Sequence, residues 1–264
     1  MSNEKQIKMS YQIIQPCEEL RSFVSHLWAS SWNNIEESGS TYFSTANIQT
    51  ELAFAFYTPP GSRHPELMFS TILGHTEKFR QFPMNCNLDM FGVSLFSHAV
   101  PCFFDVSTSE LTNQVISLDD LLGDRGKTIN EKMTNANTTQ KRIEIISSYF
   151  KMQLIKGRFE DPIVINAIKQ IRKSQGITNI NELASEFCLS GKQFERRFAE
   201  YSGFNPKLYA RIIRFEAALW NRRKYNTLTE LAHEYGYYDQ AHFIHDFKMF
   251  SGFSPNKFFS LTGY

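Results

Sequence analysis

The chain repeats itself near its C-terminal end, and that repeat constrains the architecture more than any other feature. Residues 182–187, ELASEF, return as ELAHEY at 230–235, and residues 193–209, QFERRFAEYSGFNPKLY, return as HFIHDFKMFSGFSPNKF at 242–258. The offset is 48 in the first block and 49 in the second, so one residue has been added in the turn between them. Ten of the 23 paired positions are identical: ELA and E in the first block, then F, F, S, G, F and P. These are residues of packing and punctuation. Asn179 with Glu182, Thr227 with Glu230, and Ser190 with Gln193 have the spacing of helix caps, and Asp239 caps the remaining helix. Asn205-Pro206 and Ser254-Pro255 each put a cap before proline at a first helical position. The turns FCLS and YGYYD have the length that joins the helices of a helix-turn-helix. Two tandem helix-turn-helix units are expected, with second helices at about 190–202 and 239–251.

On a wheel of 100° per residue, Phe194, Phe198 and Tyr201 share one face of the first such helix, as do Phe243, Phe247 and Phe250 of the second. Both stripes read as core. The opposite faces carry Lys192, Glu195, Arg196 and Ala199, then Ala241, Ile244, His245 and Lys248. Such a face is either solvated or a surface that reads base edges, and Ile244 favours the second because a thymine methyl would give it a partner. Residues 206–224, PKLYARIIRFEAALWNRRK, are expected to join the units as one helix. Its nineteen residues span about 28 Å, comparable with the roughly 34 Å of one DNA turn. Arg211, Arg214, Arg222, Arg223 and Lys224 are candidates for phosphate contact or plain solvation.

The segments LAHEYGYYDQAHFIHDFKMFSGFSPNKF and LASEFCLSGKQFERRFAEYSGFNPKLY resemble the paired helix-turn-helix motifs of AraC/XylS-type transcriptional regulators. The resemblance covers about residues 161–264. It implies that each unit sends its second helix into a major groove of double-stranded DNA. Carried over by position, it places the DNA-facing residues at Lys192, Glu195 and Arg196, then at Gln240, Ala241, Ile244 and His245. Where the family usually has arginine, this chain has His245, a weaker partner for guanine.

The charge is divided in the same sense. The chain carries 28 basic and 27 acidic side chains, a net charge of +1. Residues 1–160 hold 14 basic against 17 acidic residues, and residues 161–264 hold 14 against 10. An excess this small does not by itself define a nucleic-acid partner.

Residues 11–110 read as short β segments (FVSHLWASSW, ELAFAFYT, LMFSTILGH, MFGVSLF) separated by PPGSRHP, FPMNCN and HAVP. From about 116 the pattern turns helical, in ISLDDLLG and TTQKRIEIISSYFKMQLIK, where Ile143, Ile146, Phe150 and Leu154 form a stripe that either packs on its own domain or joins two copies. The expected class is α+β, with a β-rich N-terminal domain carrying helices, which the resemblance to the same family implies to be barrel-like, and an all-α C-terminal domain. Domains are expected at 1–158 and 159–264, divided in KGRFEDP, where Asp161-Pro162 opens a helix. LRSFVSHLW, ELAFAF and FGVSLF resemble regulatory domains of the same family, which implies a ligand-sensing or dimerising role. An apolar effector would find its pocket among Phe54, Phe56, Phe69 and Phe91.

Catalytic signatures are missing: there is no G-x-S-x-G, Walker A loop, H-E-x-x-H or dinucleotide fingerprint. No catalytic residue, metal ligand or cofactor is therefore expected, and the chain is read as no enzyme. An enzyme or sensor domain with an accessory DNA-binding module is the alternative. Cys17, Cys86, Cys102 and Cys188 are widely spaced and read as inert, buried thiols. The opening MSNEKQIKMSYQIIQ lacks the apolar core of a secretory signal, and no apolar run is long enough for a membrane span. The sequence thus predicts a cytoplasmic DNA-binding regulator with no membrane association, open to a small-molecule effector and to a homodimer.

Overall fold

The computed structural model describes residues 8–33, 40–62, 64–84, 87–155 and 161–262. The expected break at 157–160 and Cys86 lie outside these residues. The chain forms two compact units, one of Met1–Tyr42, Gln49–His75 and Gln81–Phe159, the other of Phe43–Ile48, Thr76–Arg80 and Glu160–Tyr264. Strands in the first and helices in the second give the α+β class.

The first unit is built on an antiparallel six-stranded sheet of order β1-β2-β7-β4-β5-β8. Its strands are β1 (Lys8–Ile14), β2 (Val24–Asn33), β4 (Thr50–Tyr57), β5 (Glu66–Leu73), β7 (Leu88–Leu95) and β8 (Val115–Ser117). A two-stranded sheet pairs β3 (Ser40–Ser44) with β6 (Arg80–Met84). Alternation of side chains sends Leu52, Phe54 and Phe56 of β4 and Phe91, Val93 and Leu95 of β7 to one face. There they pack with helices α1 (Val100–Phe103), α2 (Leu118–Leu122), α3 (Asp124–Thr134) and α4 (Thr139–Ile155) into one apolar core. Within α4, Ile146 and Phe150 are buried, and Ile143 and Leu154 pack at the edge of the same core. Its stripe therefore serves its own unit.

Sequence patterning departs from the structure at three places here. Val115–Ser117, read as the start of a helical region, is a strand paired through Thr71↔Ser117 and Ile72↔Ile116. The helix begins only after Ser117, whose hydroxyl accepts the Asp120 N–H. Helix α3 escaped notice because its buried positions, Gly126, Ile129 and Met133, are sparse among polar residues. Phe54, Phe56 and Phe91 fill the core, whereas Phe69, in register with Ala55, faces the other way and is exposed. Those four rings do not line a common pocket.

The second unit contains α5 (Pro162–Lys173), α6 (Ile180–Glu186), α7 (Gly191–Ser202), α8 (Pro206–Asn221), α9 (Leu228–Glu234), α10 (Gln240–Ser251) and α11 (Pro255–Thr262). The caps expected at Asp161, Asn179, Ser190, Asn205, Thr227 and Asp239 are made. Ser190 with Gln193 and Thr227 with Glu230 form reciprocal capping boxes, and Asn179, Asn205, Asp239 and Asp161 each accept backbone N–H groups. The joining helix α8 is shorter than expected. It ends at Asn221 and tightens into a 3-10 turn at Arg222–Lys224, where the Arg222 guanidinium donates to the Tyr225 carbonyl at 2.6 Å. Three consecutive basic residues offer no apolar group to continue the buried stripe, and sixteen residues span about 24 Å.

One aromatic-rich core holds this unit together. Phe194, Phe198, Phe243, Phe247 and Phe250 are all buried in it, as the wheel requires, with Tyr201 packed at its margin. Phe247 meets Phe215 of α8 edge-on at 5.2 Å and Phe258 of α11 at 5.5 Å. Ala46 and Ile48 belong to the same core, and the Ala46 N–H donates to the Phe250 carbonyl at 2.7 Å. No helix among the described residues is long and apolar enough to cross a membrane.

Candidate nucleic-acid interface

Helices α7 and α10 are fixed at both ends and along one side, which leaves one face of each free. Each starts at a side-chain cap and stops at a left-handed glycine, Gly203 (φ 75°) and Gly252 (φ 78°). The repeated Ser-Gly-Phe explains the stop. The Ser202 hydroxyl donates to the Phe204 carbonyl at 3.0 Å and accepts the Phe204 N–H at 3.2 Å. Ser251 likewise accepts the Phe253 N–H at 3.2 Å, and its single hydroxyl proton lies between the Phe253 carbonyl at 3.0 Å and the Phe247 carbonyl at 2.7 Å. Three identities in the sequence are thus one hydrogen-bonded stop signal used twice.

The inner sides are held by ion pairs that sequence reasoning missed. Arg197 on α7 donates to Asp161, the buried cap of α5. Asp246 on α10 is 1% exposed and accepts from the Arg211 guanidinium of α8 at 2.7 and 3.2 Å. That hydrogen bond raises the pKa of the Arg211 guanidinium above its ordinary value. Arg197 and Asp246 occupy the same place in the repeat, at the offset of 49. A buried charge on a helix otherwise read as half core and half surface was the available signal.

The outer faces carry the expected residues. Lys192, Glu195 and Arg196 are exposed on α7 and make no ion pair among the described residues. Gln240, Ala241, His245 and Lys248 are exposed on α10. Gln240 is partly occupied, since its carbonyl accepts the Thr229 hydroxyl at 3.0 Å, and its amide N–H₂ remains able to donate. His245 Nδ1 lies 3.5 Å from Asp246. Ile244 is half-buried and packs against the core, so its apolar surface already has a protein partner. Tyr238, just ahead of the Asp239 cap, is exposed and was not singled out from the sequence.

Three phosphate candidates are committed elsewhere, Arg222 to the Tyr225 carbonyl as described above. Arg211 binds Asp246, and Arg214 donates to the Gly236 carbonyl at 3.1 Å and lies over the Tyr237 ring. The thiols depart from expectation too: Cys102 is buried, but Cys17 and Cys188 are exposed. Among the described residues no three His, Cys, Asp or Glu side chains gather as a metal site requires.

Two capped helix-turn-helix units on a shared core, each presenting a polar helix face, define a nucleic-acid-binding module. Residues 183–260 match the family model described as a helix-turn-helix domain. Residues 12–117 match a second model, described as a domain of unknown function (DUF6597). The chain is similar to the crystal structure of ToxT from Vibrio cholerae O395, at 11% identity over 99% of this chain and 100% of that one, with a TM-score of 0.45. It is also similar to unsaturated fatty acid-bound wild-type ToxT from Vibrio cholerae strain SCE256, at 11% identity over 100% and 99% of the two chains, with a TM-score of 0.43. No curated protein matches the chain.

Proposed function

We propose that the chain is a sequence-specific transcription regulator whose helices α7 and α10 enter successive major grooves of one DNA duplex. Residues 159–264 form the DNA-binding part, and residues 1–158 regulate it by sensing a ligand or by dimerising. The observation that carries the reading is the pair of capped helices whose outer polar side chains are exposed while the inner ones are locked in ion pairs. Preorganised polar groups on a rigid helix face suit base-edge readout.

The two helices do different work. On α7, Arg196 suits bidentate contact with guanine, a discrimination of about 1–3 kcal/mol, while Lys192 and Glu195 add hydrogen bonds. On α10, Gln240 and His245 donate, Ala241 and the remaining surface of Ile244 give apolar contact, and Lys248 meets phosphate. Binding of wild type, Arg196→Ala and Lys248→Ala to a duplex library at several salt concentrations tests the assignment. Arg196→Ala relaxes preference at one or two base pairs. Lys248→Ala weakens all sequences alike and reduces the salt slope by about one unit. The reverse pattern would put the wrong side of each helix in the groove.

A further inference from the structure

A cleft of about 270 Å³ opens between α6 and α8, outside both reading faces. Lys207, Arg211 and Arg214 line it from one side of α8, at the i, i+4, i+7 spacing that aligns side chains along a helix. Thr178 and Asn181 line it from the start of α6, and no carboxylate lines it among the described residues. Asp246 neutralises Arg211, which leaves two positive charges without a countercharge in the lining. Arg214 spends one nitrogen on the Gly236 carbonyl, and its Nε is buried without a hydrogen-bond partner among the described residues. Lys207 is exposed and makes no ion pair among the described residues.

The location is more informative than the charge. Asn181 sits beside Gly191, the first residue of α7. On the other side, Arg214 reaches the turn before α10 and Arg211 reaches α10 itself. The cleft therefore lies against the start of α7, and its arginines extend to the turn before α10 and to the middle of α10. If those helices occupy successive major grooves on one face of a duplex, the minor groove between them, with the two sugar-phosphate strands that border it, must pass between the helices.

We propose that this cleft seats a backbone phosphate of one of those two strands, a step that rests on the regulator reading above. Lys207 neutralises it, the Thr178 hydroxyl and Asn181 amide donate to its oxygens, and Arg214 contributes field while holding the protein. A free phosphate offers the same chemistry, so the experiment separates the two sources.

The test uses the full chain, a duplex selected by the wild type, and Lys207→Gln, whose exposed position leaves the thermal melt unchanged. Lys207→Gln is expected to reduce the salt slope of log K by about 0.9 and to weaken all duplexes several-fold with base preference intact. Ethylation of phosphates between the two half-sites should weaken the wild type, and the same lesions should cost the variant little. An unchanged slope and an unchanged ethylation pattern, with a wild type that binds DNA, would overturn this proposal alone. A wild type that selects no duplex would overturn the regulator reading with it. Stabilisation of the wild type but not the variant by inorganic phosphate alone, with equal salt slopes on DNA, would assign the cleft to a free anion and overturn the DNA assignment.

Discussion

Tyr237 and Tyr238 are adjacent in the chain and opposite in environment. Tyr237 is 3% exposed with its ring edge-on to Phe243 at 5.2 Å, whereas Tyr238 is 88% exposed. Removing the first ring leaves a cavity, and Tyr237→Ala should destabilise by about 3–4 kcal/mol in urea denaturation. Tyr238→Ala should stay within about 0.5 kcal/mol of wild type. If Tyr238 touches the duplex, that variant loses DNA affinity at unchanged stability. Another residue-scale consequence lies in the turns. Cys188 holds a left-handed backbone (φ 54°) where the second unit has Gly236 (φ 66°). A side chain in that region is strained, so Cys188→Gly should stabilise by about 1 kcal/mol, after allowing for the freedom glycine gains in the unfolded chain. A melting temperature that falls would show the turn to be held by the side chain instead. The repeat made the caps and the Ser-Gly-Phe stop legible, because short polar groups and glycine act on the nearest backbone. It hid Cys188, because turn handedness shows only when the two copies agree on glycine.

At the scale of elements, the reading helices were legible to within a residue, since their boundaries are set locally by Ser190, Asp239, Gly203 and Gly252. What holds them against their neighbours was not, because Asp161 with Arg197 and Arg211 with Asp246 are 36 and 35 residues apart. The same holds for Val115–Ser117, a strand only because β5 lies beside it. The Arg211–Asp246 pair can be tested directly. Asp246→Ala leaves the half-buried guanidinium without its carboxylate, and about 2–3 kcal/mol of stability should be lost, short of the full penalty because Arg211 keeps some water. Adding Arg211→Met should recover part of that loss. A strictly additive double variant, measured by chemical denaturation, would show that the two groups do not interact energetically.

For the molecule as a whole, the α+β class followed from composition and periodicity, and the tandem units from the repeat. The sheet order and the membership of Ala46 and Ile48 in the helical core had no sequence signal, since long-range pairing leaves no local pattern. Global stability should carry a pH dependence from Glu216 on α8. Burial pushes its carboxyl up to about 7 from the ordinary 4.5, and the Arg172 charge opposes that rise. Between those values the folded chain keeps a proton that the unfolded chain releases, so Glu216 makes stability fall as pH rises through this interval. The expected loss between pH 5 and 8 is about 1–2 kcal/mol, below the full linkage value because the side chain keeps some water. Glu216→Gln should flatten the profile and melt higher than wild type at pH 8. A variant as pH-dependent as the wild type would place the titrating group elsewhere.

The opposite charges of Arg197 and Asp246 make the two copies of the repeat non-interchangeable. Moved into the first slot, α10 would bring Asp246 against Asp161; moved into the second, α7 would bring Arg197 against Arg211. Each exchange sets like charges side by side, two buried carboxylates in the first slot and two part-exposed guanidinium groups in the second, and leaves both without a countercharge. Each helix is thus keyed to its own socket, and the order of the two exposed helix faces along the chain is written into the scaffold beneath them.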